Sequence, residues 1–269
     1  MLVAIDVGNT NITIGVFKKD DLIASYRLTT KIRRTSDEYG SSLVNFLTAA
    51  GIDTKDVSDV IVSSVVPKIM HSFRNGIIKF LGIDPIIVGP GIKTGISVQL
   101  ENPRSVGADR IADCAGAFHE YGGPVLVVDF GTATTYDYVT KEGHFKAGAI
   151  SVGIESGANA LWGQTAQLPE IEIKRPETIL AKNTQSEMQA GIFYQFLGGF
   201  EQTVKQFKKE IRKDFKVIAT GGLGRVICDH TDLIDVYDPN LIFKGLKLIY
   251  EKNKETKPKE IIKEEMIIE

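Results

Sequence analysis

The stretch "LVVDFGTATTYDYV", residues 126–139, carries a run of apolar residues into an acid, Asp129, then a glycine, Gly131, then hydroxyls at Thr132, Thr134 and Thr135. The opening of the chain repeats the pattern: "LVAIDVGNTNITIGVF", residues 2–17. Aligned without gaps on their acids, Asp6 falls on Asp129, Gly8 on Gly131, Asn9 on Thr132 and Asn11 on Thr134. An acid at the tip of a buried strand, followed by a tight polar turn, is costly unless it has a task, and here it occurs twice.

The surrounding pattern repeats as well. Residues 2–6, "ITIGVF" and "LIASYRLTT" read as three strands joined by turn-rich breaks. A helix follows from Ser36, with Leu43, Val44, Leu47 and Ala50 at helical spacing and Gly51 as its stop. "DVIVSSVVP" is a buried strand, 69–81 a helix and "DPIIVG" a short strand. The second half begins again with "PVLVVDF", "TTYDYVT" and "FKAGAISVG", the last two joined by a "KEGH" turn. Helical material around 187–211, the strand "KVIATGG", a candidate strand "DLIDVYDP" and a helix near 241–250 complete it. Two halves with one opening and one element order indicate a duplicated α/β unit.

Composition sets the bounds. The chain has 269 residues, 43% hydrophobic and 25% charged, with a net charge of -2. Those values fit a soluble globular protein of one large or two modest domains and argue against a nucleic-acid binder, which carries a basic excess. The basic cluster Lys31, Arg33, Arg34 is short and reads as a solvated helix start. Cys114 and Cys228 stand far apart in apolar settings and fit no zinc spacing or disulfide framework. The start reaches an acid within six residues and lacks a basic leader region, and no apolar run approaches the roughly 20 residues that cross a bilayer. The expectation is a soluble cytoplasmic protein without membrane contact. From Lys252 the chain is charge-dense and reads as a solvated end.

The paired loops narrow the chemistry. "GPGIKTG", residues 89–95, has no Gly-Lys pair for a P-loop and misses Gly-x-Gly-x-x-Gly by one residue. The hairpins instead offer glycines that admit a ligand to the backbone and uncharged donors at Asn9, Thr10, Asn11, Thr13, Thr132 and Thr134. Facing each other across a cleft, they would grip a polyphosphate from both sides. Neither contains Lys or Arg, so Asp6 and Asp129 beside phosphates call for a cation between them. The alternative is that each Asp merely stabilises its turn.

A third constellation is "ENPRSVGADRIADCAGAF", residues 101–118. Pro103 and Gly107 break the chain, and Ile111, Ala112, Ala115 and Phe118 give a helical apolar face, so Asp109 and Arg110 sit near a helix N-terminus. Asp is at home there as a cap, whereas Arg opposes the helix dipole. An Arg binding an anionic substrate beside an Asp that takes a proton accounts for both. Asp113, one turn on, either orients Arg110 or is solvated. "VIATGGLG", residues 217–224, offers bare backbone at Gly221 and Gly222 for a flat base, or simply a helix-entry turn.

In order, "DVGNTN", "GADR", "DFGTATTYD" and "TGG" resemble type III pantothenate kinases, of the acetate and sugar kinase/actin-like superfamily. Intervening stretches such as "SSVVP", "GAISVGI" and "NTQSEMQAGI" extend the resemblance over residues 2–250. It implies a duplicated actin-like (ribonuclease H-like) α/β fold of two lobes, each a mixed sheet flanked by helices. Residues 1–115 would form an N-terminal lobe with the first phosphate loop. Residues 116–255 would form a C-terminal lobe with the second loop and the adenosine motif, and 256–269 a charged tail.

The implied activity is ATP-dependent phosphorylation of pantothenate to 4'-phosphopantothenate, the first step of coenzyme A synthesis. By position, Asp6, Val7, Gly8, Asn9, Thr10, Asn11, Ile12 and Thr13 would form the first phosphate loop, and Gly131 and Thr132 belong to the second. Asp109 would be the general base, with Gly107, Ala108, Asp109 and Arg110 lining the pantothenate site. Asp129 would bind a monovalent cation, potassium or ammonium, alongside a divalent ion, magnesium, that accompanies ATP. Gly221 and Gly222 would lie at the adenosine, and Thr184 would reach pantothenate across a homodimer interface. Many family members carry a substrate-contacting aromatic two places before the Asn-Pro; this chain has Leu100 there. Rival readings are a same-fold kinase of another small alcohol, a phosphatase, and a nucleotide-binding regulator.

Overall fold

In the computed structural model, residues 1–254 are described; the charged tail expected at 256–269 lies outside the described residues. The first half forms β1 (Leu2–Val7), β2 (Asn11–Lys18) and β3 (Asp21–Thr29), then α1 (Ser36–Ala49), β4 (Asp59–Ser64), α2 (Pro67–Leu81) and the two-residue β5 (Ile86–Ile87). The start of α1 is fixed by its sequence: Thr35 accepts from the Glu38 amide, and the Glu38 carboxylate accepts from the Thr35 amide, a reciprocal cap. Pro67, whose missing N–H costs nothing in a first turn, opens α2.

A short β6 (Ser97–Val98) and α3 (Ala108–Tyr121) lead into the second half. It comprises β7 (Val125–Phe130), β8 (Ala133–Val139), β9 (His144–Val152), α4 (Ile154–Gly163), α5 (Thr184–Ile211), β10 (Lys216–Thr220), α6 (Gly224–Cys228), β11 (Val236–Tyr237) and α7 (Leu241–Asn253).

The duplication is visible in the sheets. The first has strand order β3-β2-β1-β4-β5, and the second runs β9-β8-β7-β10-β11 with β6 added beyond β9. In each, the central strand pairs antiparallel with its hairpin partner and parallel with the strand that follows a helix. Asp6 in β1 pairs with Thr13 and Ser63, and Asp129 in β7 pairs with Thr135 and Thr220. The acids are therefore equivalent, one per lobe.

Past the acids, the ungapped alignment slips. The first hairpin turns between Val7 and Ile12, the second between Phe130 and Thr134, one residue sooner. Thr134 thus occupies the place of Ile12, not of Asn11, which explains why it is a buried threonine whose hydroxyl finds no partner. A one-residue difference in turn length is invisible to an alignment anchored only on the acids.

Each lobe has its own core. One packs β1, β2 and β4 against α1 and α2 through Ile5, Ile12, Leu43 and Ile77. The other packs β7 and β10 against α5 through Leu126, Val128, Phe200 and Val204. Between them cross α3 and α7, where Gly116 meets the Gly245 backbone and a side chain at Gly245 would overlap the Ala112 carbonyl oxygen. Packing crosses the division at residue 115: β6 joins the second sheet, Cys114 of α3 packs with Val125 and Val127, and α7 packs on Leu2, Ala4 and Ile61 of the first.

Candidate active site

The C-terminal ends of β1, β7 and β10 and the N-terminus of α3 open onto one cleft of about 340 Å³. The hairpin amides of Gly8 and Gly131 close their own turns, donating to the Asn11 and Ala133 carbonyls at 3.0 and 3.2 Å. That leaves Asn9, Thr10, Asn11, Thr13 and Thr132 to line the cleft. The two loops touch: the Thr10 and Thr132 hydroxyls lie 2.9 Å apart. Val7 and Ile12, by contrast, are buried in the first core and do not line the cleft.

Behind the loops sit the acids. Ser63, at the end of β4, donates to Asp6 Oδ1 at 2.7 Å. Burial lifts Asp6 to about 7 despite that bond, with Asp109 adding repulsion. Asp129 also stands at about 7, raised by burial and then by Asp109, Asp6 and Asp137. Asp113 is 5% exposed, and its Oδ1 has no partner. It is raised well above the carboxylate range by burial first and then by Asp129, Asp109 and Asp6.

Desolvated acids with an orphaned acceptor fit a cation, which would restore the charged forms. Among the described residues no three metal-ligating side chains form a cage, so phosphate oxygens and water would complete its shell.

Asp109 stands in the first turn of α3, whose N-cap is Gly107. Its Oδ1 accepts from the Arg110 amide at 2.8 Å, and a side chain at Gly107 would overlap that same oxygen. Burial raises Asp109, opposed by the Arg110 backbone bond and charge. Ala108, buried beneath, anchors the turn in the interlobe core.

Two readings of the third constellation change. The Arg110 guanidinium is held by Asp137 of β8, through Nη2 and through Nε at 3.1 Å to Oδ2, and Asp137 is 1% exposed. Asp113 therefore neither orients Arg110 nor is solvated; it faces the cleft with the other acids. Arg110 also lies over the Phe145 ring at 5.4 Å, and Leu100 packs on the cluster containing Phe145.

Gly221 and Gly222 also line the cleft, for different reasons. Gly221 has φ +94°, and a Cβ there would lie 2.5 Å from Asp129 Oδ1, so the acid itself demands glycine. Gly222 faces open space. Of the residues expected at pantothenate only Asp109 lines the cleft; Leu100, Gly107, Ala108, Arg110 and Thr184 do not.

Sequence reasoning missed Ser63, Thr220, Asp137, Tyr237 and Arg27. The register that aligns Ser63 with Asp6 and Thr220 with Asp129 joins residues far apart in the chain. Arg27 carried a readable signal: it falls opposite Thr13 once β2 and β3 are paired as a hairpin.

Solved structures define the class. A Campylobacter jejuni protein described as a Baf family transcriptional activator superposes with a TM-score of 0.59 at 19% identity, covering 94% of this chain and 99% of that one. Component A of the (R)-2-hydroxyglutaryl-CoA dehydratase of Acidaminococcus fermentans gives 0.51 at 15% identity, covering 95% and 99%. At these identities the likeness is one of fold: two actin-like lobes about a shared cleft.

Sequence comparison is more specific. The profile of type III pantothenate kinases matches residues 2–206. Proteins of that name from Bifidobacterium longum strain DJO10A and Listeria monocytogenes are 60% and 46% identical, covering 94% and 96% of this chain and 99% and 100% of theirs. The chain belongs to the type III pantothenate kinase family.

Proposed function

We propose that this protein transfers the terminal phosphate of ATP to the terminal hydroxyl of pantothenate, giving 4'-phosphopantothenate for coenzyme A synthesis. The observation that carries the reading is the meeting of Thr10 and Thr132, 2.9 Å apart, which brings both Gly-hydroxyl hairpins to one cleft shared with Asp109.

In this reading Asn9, Thr10, Asn11, Thr13 and Thr132 hold the triphosphate with neutral donors. Gly222 and Leu223 take the adenosine. Asp109 receives the proton of the pantothenate hydroxyl as its oxygen attacks the γ-phosphate, and ADP departs. Its burial raises its proton affinity and suits it to that task. The Arg110–Asp137 pair fixes the first turn of α3, with the remaining guanidinium donors available to the substrate.

Asp6, Asp113 and Asp129 would hold the cations, Asp129 the monovalent one, potassium or ammonium. The ions supply positive charge to a triphosphate that the loops meet without lysine. Positioning and this charge account for most of the rate, with the base adding roughly 10²- to 10⁴-fold.

Thr184, outside the cleft, would act on the pantothenate of a partner in a homodimer. That assembly is supported by exposed apolar side chains a few residues before it in the chain, Ile179 at 56% and Leu180 at 77%. Among the described residues no helix is long and apolar enough to cross a membrane, in keeping with a cytoplasmic enzyme.

The test is release of ADP from ATP with magnesium, with and without pantothenate and with and without potassium. Turnover that requires pantothenate and potassium is expected. Turnover indifferent to pantothenate, or supported by another alcohol instead, would overturn the acceptor assignment.

A further inference from the structure

Arg27, on β3, is the only lysine or arginine among the described residues that line the cleft. Strand register places it opposite Thr13 of β2, and Thr13 opposite Asp6 of β1. Directly paired residues project from the same sheet face, so Asp6, Thr13 and Arg27 form one row across the first lobe. Their neighbours Ile12 and Leu28 lie on the other face, packed in the first core.

The Arg27 side chain makes no hydrogen bond or ion pair with any described residue. The arginines that serve structure behave differently: Arg74 is held by Asp84 and Arg110 by Asp137. A guanidinium on the wall of a cleft lined by five acids, Glu155 and four aspartates, yet paired with none, is available to a ligand. Its planar fork matches two phosphate oxygens at once.

Its position along the cleft says which phosphates. The transferred phosphate must lie at Asp109. The base end is marked by Gly222 and Leu223, beside Tyr237, whose hydroxyl donates to the Gly221 carbonyl at 2.8 Å. Arg27 stands two strands out from Asp6, and its charge acts on the phenol of Tyr237, beside the base end.

We infer that Arg27 is the phosphate-binding cation of the cleft and grips the non-transferred phosphates of the nucleotide donor. The inference rests on the phosphoryl-transfer reading, and it supplies the positive side chain that the two hairpins lack.

The test is calorimetric titration of wild-type protein, R27Q and R27K with ATP, ADP and adenosine, with magnesium and potassium present. R27Q is expected to weaken ATP and ADP roughly 10- to 100-fold, the span of a charge-assisted contact, and to leave adenosine unchanged. R27K should recover part of the loss. The thermal midpoint of R27Q without nucleotide should match wild type, since Arg27 holds no other residue. Unchanged ADP affinity in R27Q would overturn the inference, as would an equal loss of adenosine. If wild-type protein binds ATP and ADP but leaves pantothenate unphosphorylated, the acceptor assignment fails while the role of Arg27 is still decided by these titrations.

Discussion

At the scale of single residues, the cleft is an exercise in keeping acids where water is scarce. Asp109 differs from its three acidic neighbours by position: it caps nothing, stands in the first turn of a helix and holds the Arg110 amide. Asp109→Asn keeps the shape and removes the proton acceptor. It is expected to lower kcat at least a hundredfold while ATP affinity stays within a few-fold of wild type, as read by steady-state assay and nucleotide titration. Near-normal turnover would remove Asp109 as the base.

Asp137→Asn should act indirectly, loosening Arg110, so the KM for pantothenate should rise more than the KM for ATP. Asp6, Asp109 and Asp129 were legible because each sits in a short motif beside glycine. Asp113 was not, because its sequence neighbourhood is that of any amphipathic helix and only the packed acids of other elements give it meaning.

At the scale of elements, periodicity and turn chemistry carried most of the fold. The three-strand openings of both halves, α1 and α2 each declare themselves through alternation, helical spacing, caps or proline. What stayed hidden depended on partners remote in sequence. Strand β6, two residues long, exists only because β9 lies alongside, whereas the equally short β5 and β11 fall within "DPIIVG" and "DLIDVYDP", which read as strands in the sequence.

The same holds for the α3–α7 crossing, which needs glycine at 116 and 245 although neither lies in a turn. Gly245→Ala forces a methyl into the Ala112 carbonyl and is expected to destabilise by about 1–3 kcal/mol. Gly199→Ala, in the exposed interior of α5 with open space around it, should stabilise by about 0.5–1 kcal/mol. Chemical denaturation of the two variants reads both signs, and a harmless Gly245→Ala would mean the helices cross less closely.

At the scale of the molecule, the two lobes bring like charges together, and stability should report it. Asp6 and Asp129 move from 3.8 to about 7 on folding. Below about pH 4 both folded and unfolded chains hold these protons, and nothing is lost. Between about 4 and 7 the folded chain keeps protons that the unfolded chain has released, so stability falls as pH rises; above 7 the penalty is complete. Without ligands, Asp129→Asn should therefore be more stable than wild type at pH 8, and the advantage should shrink toward pH 5. Potassium and magnesium-ATP favour the ionised acids, so their gain in wild-type Tm should be larger at pH 8 than at pH 6, and smaller in Asp129→Asn at either pH. Melting curves over this grid decide the matter. If the ligands raise wild-type Tm equally at both pH values, or Asp129→Asn gains nothing at pH 8, the buried acids are not what the cations neutralise.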